Sequence, residues 1–531
     1  MSTGQALSTC LCWSDVQEPS KEGKAAIPVS IGMSYLIVLL GAGVLYVITC
    51  APGVLWHDSA LFAYRVWHND IEGDMGLALA HPLYVMLGIA LKYVPVSELF
   101  YRLNLMSAVF AAAAVANLFV LLRLWLGRIL PALIGAVTLA VSWTFWQHAA
   151  IAEVCTLYAA QLLAELIFLL QYARTKRVGW LYLLGLFNGL AIANHMWGAI
   201  SFVCYAAFLA VLVARREIAF KHFAITAALW AIGASAYEYL IIKNVILSGD
   251  VAGTLASAAF GKLWRGSVLN TSISMKIALE NIAFILLNFP TPNFVLFFVG
   301  LWVLRKRAPS RSFAYIMLSL SALYFLFAFR YTVADRYVFF LPFYCLAAVF
   351  VGLGADALLV RYNRKAVVFA VVAFALLPVP VYGVAPELAR KTYKSLGQRR
   401  QRPYRDEYAY FLQPWKTGCR GAQRFADEAL EMVEKDAIIW ADSTVVHTLL
   451  YVQEVQGKRP DVRIVSHYYR SENAPVLDED TVGGLMNDCA LYVVSPLRSY
   501  CPEFLLDRCD FVQKGVLWKA VGDKGRAANP S

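Results

Sequence analysis

Charged side chains are scarce in this sequence. Asp, Glu, Lys and Arg make up 16% of its 531 residues, whereas soluble domains carry about 25%. Hydrophobic residues make up 60%, and the mean hydropathy is +0.57. This composition excludes the three or four soluble domains that the length alone would suggest. The chain is therefore predicted to be a polytopic membrane protein.

Three other features are missing. No segment repeats along the chain, although such repeats are typical of many secondary transporters. No small-residue cleavage site follows the first apolar run, which predicts a retained helix after an N-terminal tail at 1–28. None of the ten cysteines forms a CxxC pair. One or two disulfides are possible if the C-terminal tail is extracytoplasmic, because it contains Cys419, Cys489, Cys501 and Cys509.

The formal net charge of +11 could indicate a nucleic-acid partner. The basic residues, however, sit in short clusters between apolar runs, where a membrane protein keeps its cytoplasmic positive charges. The sequence therefore predicts membrane lipid, and no nucleic acid, as a partner.

Eleven apolar runs approach the roughly 20 helical residues that cross a bilayer core of about 30 Å. Together they predict an all-α membrane domain over 29–383. The runs lie near 30–50, 102–122, 129–147, 155–173, 178–195, 197–214, 222–242, 293–304, 312–329, 338–358 and 366–383.

Two shorter apolar stretches do not fit a full crossing. The stretch 79–94 contains Pro82 and Lys92, and the stretch 276–290 contains Glu280. Both are predicted to be interfacial or re-entrant helices, which membranes tolerate where protein or a water-filled cavity covers them.

With those two stretches left out, five basic clusters between the spans all follow even-numbered spans, and the positive-inside rule makes that side cytoplasmic. The N-terminal tail is then inside, while the loop 51–101 and the C-terminal tail are outside. The clusters lie at 123–128, 174–177, 215–221, 305–311 and 361–365.

The C-terminal tail has the patterning of a soluble protein. A juxtamembrane linker is predicted at 384–410 and a small extracytoplasmic α/β domain at 411–531. The predicted elements are a helix at 421–434, strands at 437–441, 462–466 and 491–494, and a helix at 445–455.

Polar residues from separated segments meet the predicted outer boundary of the membrane. At that depth they cost a few kcal/mol each unless they are paired or wetted, so a polar cavity is predicted there. The candidate site residues are Asp58, His81, Tyr84, Arg102, Glu153, Asn194, His195, Asp335 and Arg336.

Each of the main candidates has a structural alternative. Asp58 could cap the following helix, because Asp is a preferred N-cap residue. Glu153 and His195 could be interfacial side chains, and Asp335 and Arg336 could pair with each other. Their occurrence on one side of the membrane favours a functional site.

Two acids, Glu165 and Glu238, lie within the predicted spans. Intramembrane acids are candidates for ion or proton coupling, so a transporter or lipid flippase is the alternative function. Glu238 could instead pair with Lys243.

The order of several short motifs resembles a known family. That family belongs to the GT-C superfamily of membrane glycosyltransferases. It was long a domain of unknown function, and it includes the eukaryotic transmembrane protein O-mannosyltransferase of plexin-type domains. The motifs are Trp56-x-Asp58-Ser59, His81-Pro82-x-Tyr84 and the segments 102–108, 145–154, 189–195 and 335–342.

The resemblance implies transfer of a hexose, such as mannose, from a polyprenyl-phosphate donor to a hydroxyl of a protein or glycan on the outer face. Asp58 would be the general base of an inverting displacement, and Glu153 would bind sugar hydroxyls. Arg336, with His195 and Arg102 behind it, would stabilise the leaving phosphate.

No cofactor is predicted. A divalent metal is possible near Asp70, Glu72 and Asp74, but their spacing is not a metal signature, and no metal ligand is assigned. The expected location is a bacterial inner membrane with a periplasmic C-terminal domain, or the endoplasmic reticulum if the chain is eukaryotic.

Overall fold

The computed structural model describes residues 30–362, 364–392, 402–467, 469 and 476–522. The predicted N-terminal tail at 1–28 lies outside the described residues, as do positions 393–401 of the predicted linker.

The membrane part consists of helices joined by short loops. In chain order they are α1 (Ile31–Thr49), α2 (Asp58–Trp67), α3 (Pro82–Leu91), α4 (Leu99–Leu126), α5 (Ile129–Ala140), α6 (Trp143–Ala149), α7 (Cys155–Thr175), α8 (Gly179–Asn194), α9 (Gly198–Ala214), α10 (Phe220–Ser248), α11 (Val251–Phe260), α12 (Arg265–Val268), α13 (Met275–Asn288), α14 (Val295–Arg307), α15 (Arg311–Arg330), α16 (Leu341–Arg361), α17 (Lys365–Leu376) and α18 (Pro378–Thr392). Short 3₁₀ turns at Leu77–Leu79, Pro292–Phe294 and Arg336–Phe340 complete this part.

Helix ends follow local sequence signals. The side chains of Ser30, Ser274 and Ser310 accept hydrogen bonds from backbone N–H groups at the starts of α1, α13 and α15, as N-cap residues do. Gly127 and Gly249 end α4 and α10 in the left-handed conformation, which glycine adopts without steric cost.

By length and composition, six described helices could cross a membrane, or up to nine if each of three bent pairs is one crossing. The bent pairs are α5 with α6, α13 with α14, and α17 with α18. Every predicted span coincides with a helix or a bent pair. The helices α8 and α9 have only 16 and 17 residues, so they are not among the nine possible crossings. The count of eleven spans therefore stays a prediction.

The two short apolar stretches form helices that are not full crossings by themselves. The first contains α3, which has 10 residues. The second forms α13, which meets the following helical segment at a bend of 111°. Thr291 lies between two prolines at this break, and a proline cannot donate the backbone hydrogen bond that would continue the helix.

The core of the membrane part is α16, which is buried on nearly all sides. It packs against α14 and α5, while α4 packs against α1, α5 and α7. By contrast, α1 and α10 expose many large apolar side chains, as lipid-facing helices do.

At one end of the bundle, two loops predicted to be cytoplasmic meet the last turns of α16. The Asp356 carboxylate binds Arg128 and Arg307, each at 2.9 Å, and Trp125 Nε1 donates to Arg307 O at 2.7 Å. The basic clusters at 123–128 and 305–311 therefore share this end with the end of α16.

The C-terminal part forms a small α/β unit. Its helices are α19 (Glu407–Leu412), α20 (Gly421–Met432), α21 (Val446–Leu450), which continues as a π-helical turn at Tyr451–Val455, α22 (Val482–Asp488) and α23 (Glu503–Arg508). Its strands are β1 (Ile438–Trp440), β2 (Arg463–Val465), β3 (Leu491–Val493), β4 (Asp510–Lys514) and β5 (Leu517–Val521).

The five strands form one sheet in the order β2-β1-β3-β5-β4. The strands β1, β2 and β3 run parallel, with Ile439 opposite Ile464 and Tyr492. The three predicted strands are confirmed, while the antiparallel β4–β5 hairpin was not predicted. No disulfide joins the four described cysteines of the tail.

This unit sits directly on the loop between α1 and α4. Thr448 Oγ1 donates to Leu55 O at 2.8 Å, and His57 N donates to Thr444 O at 2.9 Å. The Tyr64 and Tyr469 hydroxyls are 2.6 Å apart. The tail therefore fixes the position of α2, at whose start Asp58 lies.

Candidate active site

Asp58 is the first residue of α2, and its carboxylate is not a helix cap. The N-cap is His57, which has φ 58° and makes no side-chain cap hydrogen bond. Positive φ is uncommon outside glycine and recurs at functional sites. In the part of the chain that the structure describes, no donor is recorded on the Asp58 carboxylate, so the capping alternative was wrong.

Asp58, Glu153 and Asp335 form a group that we call the acidic triad. The surrounding protein and, secondly, the charge of Asp335 raise the pKa of Asp58 to about 6. Burial, and then the charges of the other two acids, raise the pKa of Glu153 well above its usual range. Burial also raises the pKa of Asp335. Like charges close together disfavour ionisation in this way.

The triad lines a space that water can reach. Asp58 and Asp335 are solvent-exposed, and Glu153 is half-buried, although protein surrounds all three closely enough to raise their pKa values. A group that is both closely surrounded and accessible lies on the wall of a concave cleft. Carboxylates from three separated segments therefore act on one another at this surface.

Glu153 is held by buried hydroxyls. Ser107 Oγ accepts from Glu153 N at 3.0 Å and lies 3.1 Å from Glu153 O. The Tyr84 hydroxyl, predicted to bind substrate, is 3.1 Å from the same Ser107 Oγ and is fully buried. Tyr84 thus positions the loop that carries Glu153, and Ser107 is a site residue that sequence reasoning missed.

His81 and His195 face each other, with ring centres 5.0 Å apart. His81 Nδ1 lies 2.7 Å from Asn194 O; since a carbonyl only accepts, Nδ1 carries the proton and Nε2 is an acceptor. His195 Nδ1 accepts from Trp197 N at 3.1 Å, so its Nε2 is a donor in the neutral ring.

Both rings are electrically neutral near pH 7. Burial lowers the pKa of His81 to about 4. Burial, and then the neighbouring His81, lower the pKa of His195 well below its usual range. The pair therefore offers one uncharged donor and one uncharged acceptor, which suits sugar hydroxyls. Asn194 Nδ2 donates to Val154 O at 3.2 Å and ties the pair to the Glu153 loop.

Asp335 and Arg336 do not pair with each other. Arg336 binds Glu280, and its Nε donates to Asn281 Oδ1 at 3.0 Å. Asp335 instead interacts electrostatically with Asp58 and Glu153. Adjacent residues on a tight 3₁₀ turn point in different directions, so this pairing alternative was wrong.

Arg102 and two of the loop acids have structural contacts. Arg102 donates to the backbone carbonyls of Leu91, Lys92 and Val94, at the end of α3. Asp70 Oδ1 accepts from Gly73 N at 2.8 Å, and Glu72 binds Lys243 at 2.7 Å. The residues that the structure describes contain no group of three or more side chains placed to hold a metal ion.

The intramembrane acids lie apart from the triad. Glu165 is buried, and Asn188 Nδ2 lies 3.4 Å from its Oε1; Asn188 also donates to Ser201 Oγ at 2.8 Å. Lys243 pairs with Glu72 and not with Glu238, so that alternative was wrong. No contact that the structure describes joins Glu165 or Glu238 to the acidic triad.

Tyr337 joins the cleft to the C-terminal part. Its ring centre lies 4.9 Å from that of Trp143 and 5.6 Å from that of Phe411 on α19, and Trp143 Nε1 donates to Phe411 O at 3.0 Å. The charges of Asp335, Glu153 and Arg405 all act on its hydroxyl. Sequence reasoning did not assign Tyr337 to the site, although it lies in the 335–342 motif, and it missed Arg405 because 384–410 was predicted to be only a linker.

Comparison with known proteins confirms the predicted resemblance. Residues 76–221 match the family model described as Protein O-mannosyl-transferase TMEM260 N-terminal domain. No curated protein gives a significant sequence match.

Two solved structures have a similar fold over most of the chain. ArnT from Cupriavidus metallidurans, bound to undecaprenyl phosphate, has a TM-score of 0.60 at 13% identity and covers 93% of this chain and 98% of its own. The archaeal oligosaccharyltransferase AglB from Archaeoglobus fulgidus, in complex with an inhibitory peptide and a dolichol-phosphate, has a TM-score of 0.52 at 13% identity and covers 92% and 74%. The predicted GT-C fold is therefore confirmed.

Proposed function

We propose that this chain, a multi-pass membrane glycosyltransferase of the GT-C fold, transfers a mannose-like hexose from a polyprenyl-phosphate donor to a hydroxyl of a protein or glycan. The observation that carries the proposal is the acidic triad, in which an accessible Asp58 has a pKa raised to about 6. Catalytic bases are most effective when their pKa lies near the working pH.

In the proposed reaction, the hydroxyl oxygen of the acceptor attacks the anomeric carbon of the sugar. Asp58 accepts the proton of that hydroxyl at the same time. The bond from that carbon to the phosphate oxygen breaks, and polyprenyl phosphate leaves with the bonding electrons. A single displacement inverts the anomeric centre. His81, His195 and Glu153 are placed to bind the sugar hydroxyls.

The C-terminal part supports the proposal of a protein or glycan acceptor. A cavity of about 360 Å³ opens at the carboxyl ends of β1 and β2, lined by Trp440, Tyr469 and Phe504 among others. Tyr469 also contacts Tyr64 on the helix of Asp58. Tyr and Trp are enriched at binding interfaces, because their rings are apolar and their polar groups can form hydrogen bonds.

The proposed orientation of the protein in the membrane follows from its basic residues. Two of the basic clusters, at 123–128 and 305–311, share one end of the bundle, and the positive-inside rule makes that end cytoplasmic. The cleft would then face the periplasm of a bacterial inner membrane, or the lumen of the endoplasmic reticulum in a eukaryote.

A transfer assay with purified protein tests the proposed function. Polyprenyl-phosphate mannose and polyprenyl-phosphate glucose labelled in the sugar are supplied with a candidate acceptor, and the label is followed from the lipid to the acceptor. Transfer from one donor in preference to the other identifies the sugar. Hydrogen-ion-driven transport of a solute without sugar transfer would favour the alternative that uses Glu165 and Glu238.

The transfer rate should depend on pH through Asp58. Its folded-state pKa of about 6 lies above the usual value, so the base is protonated and inactive at lower pH. We expect kcat/KM to rise about tenfold from pH 5 to pH 7 and then to level off. The measurement is a pH profile at subsaturating donor.

The variant Asp335→Asn separates the causes of that pH dependence. Removing the Asp335 charge leaves burial as the cause that raises the Asp58 pKa. We therefore expect the acidic limb of the profile to move to lower pH. An unchanged limb would show that another group titrates there.

A further inference from the structure

Basic side chains from the segment between α18 and α20 form a cluster beside the cleft. Arg402 and Arg405 bind the same carboxylate, Glu407, at 3.2 and 2.7 Å. The Arg405 guanidinium lies 4.0 Å, and Lys416 Nζ 4.9 Å, from the centre of the Tyr410 ring. Arg402 and Arg405 thus share one carboxylate, while the described hydrogen bonds of Lys416 go to backbone carbonyls.

Two contacts connect this cluster with the acidic triad. Arg402 donates to Thr444 Oγ1 at 3.2 Å, and Thr444 O accepts from the backbone of His57, next to Asp58. The charge of Arg405 acts on the Tyr337 hydroxyl together with the charges of two members of the triad. The cluster therefore lies beside the proposed reaction centre.

Arg405 has donors that no described residue satisfies. Its Nε and one terminal nitrogen are enclosed, and the described part of the chain offers them no acceptor. Leaving a buried charged donor unpaired is costly, whereas phosphate oxygens accept charge-assisted hydrogen bonds from arginine. Both arginines have a carboxylate partner, but the Nε of Arg336 also donates to Asn281 Oδ1, whereas the Nε of Arg405 is one of its two enclosed donors.

We infer that Arg405 holds the phosphate of the polyprenyl-linked donor and of the polyprenyl phosphate that leaves. The inference rests on the proposed function. The acidic triad repels a phosphate, and the basic cluster attracts it, so the two groups orient the donor with its sugar toward Asp58. As the sugar–phosphate bond breaks, the charge that develops on the leaving oxygen is stabilised by Arg405.

Lys416 contributes to the same end of the cluster. Its Nζ donates to Tyr410 O and Gln413 O, each at 2.7 Å, and it is buried. Burial lowers the pKa of Lys416 to about 7, and a phosphate nearby would favour its charged form.

Binding of undecaprenyl phosphate to the purified full chain tests the inference. We expect Arg405→Gln to weaken this binding roughly tenfold or more, because charge-assisted hydrogen bonds are lost. Binding of the uncharged alcohol undecaprenol should not change. Arg405→Lys should restore part of the affinity. Inorganic phosphate is then added at millimolar concentration as a competitor. If it displaces the lipid, the site recognises the phosphate alone; if it does not, binding also needs the lipid chain.

The matched control is Arg424→Gln. Arg424 also lies over a tyrosine ring, 4.4 Å from the centre of Tyr404, but it is solvent-exposed, and its loss should leave binding unchanged. If the wild type binds undecaprenyl phosphate and Arg405→Gln binds it equally well, the inference is wrong and the proposed function stands. If Arg405→Gln loses both lipids equally, the role of Arg405 is structural. A wild type that binds neither lipid overturns both.

Discussion

Replacing Asp58 by Asn should reduce the rate of sugar transfer by roughly 10²- to 10⁴-fold, the usual contribution of a general base. Asn has the same shape as Asp but cannot accept the proton of the acceptor hydroxyl. Because Asp58 is the first residue of α2 and caps nothing, the helix should keep its position. The measurement is kcat/KM for transfer from a polyprenyl-phosphate sugar.

The stability of the folded protein should not fall with the transfer rate when Asp58 is replaced by Asn. The folded-state pKa of Asp58 lies above its usual value, so ionised Asp58 destabilises the folded protein above about pH 6. Asp58→Asn removes that cost, and we expect an unfolding temperature at pH 7 that is no lower than that of the wild type. Loss of transfer with retained stability separates a catalytic role from a structural one.

The control for this substitution is Asp74→Asn. Asp74 lies in the same loop and is solvent-exposed, so transfer should persist. If Asp58→Asn transfers sugar at the wild-type rate, the base is a different group, and Glu153 becomes the first candidate. If Asp74→Asn is the inactive variant, the metal possibility near Asp70 and Glu72 has to be considered again.

Hydropathy predicted the helices well because a bilayer selects long apolar segments with internally paired backbones. The break at 289–292 also had a signal in Pro290 and Pro292. The bend of 69° between α5 and α6 had no comparable signal, since Val141 and Ser142 are ordinary helix residues. The β4–β5 hairpin was missed because it is stabilised by pairing with β3 and not by a strong apolar pattern of its own.

The sequence predicted several residues that form the candidate site but not the contacts that their side chains make. Sidedness brought Asp58, Glu153 and Asp335 to one surface, but it could not give the direction of each side chain. Arg336 follows Asp335 in the chain yet binds α13, and this follows only from tertiary packing. Arg405 lies in a segment whose composition resembles a charged linker, so its burial could not be predicted.

Replacing Gly354 by Ala should destabilise the protein, because the added methyl group has no room between α14 and α16. Without a hydrophobic driving force between membrane helices, small residues allow the close packing that holds them together. A Cβ at Gly354 would lie 2.0 Å from Leu296 O, and one at Gly300 would lie 1.9 Å from Phe350 O. Both neighbours are backbone atoms, so α14 and α16 must separate.

Overpacking of this kind costs about 1–3 kcal/mol, which in a chain of this length corresponds to a fall in unfolding temperature of roughly 1–3 °C. The control is Gly41→Ala on α1, where no atom lies within 4 Å of an added Cβ; it should be neutral or slightly stabilising, because alanine favours a helix. Transfer should fall as well, since α14 follows α13 in the chain, and Glu280 and Asn281 of α13 bind Arg336, the neighbour of Asp335. Equal unfolding temperatures for the two variants would mean that α14 and α16 do not pack this closely in the membrane.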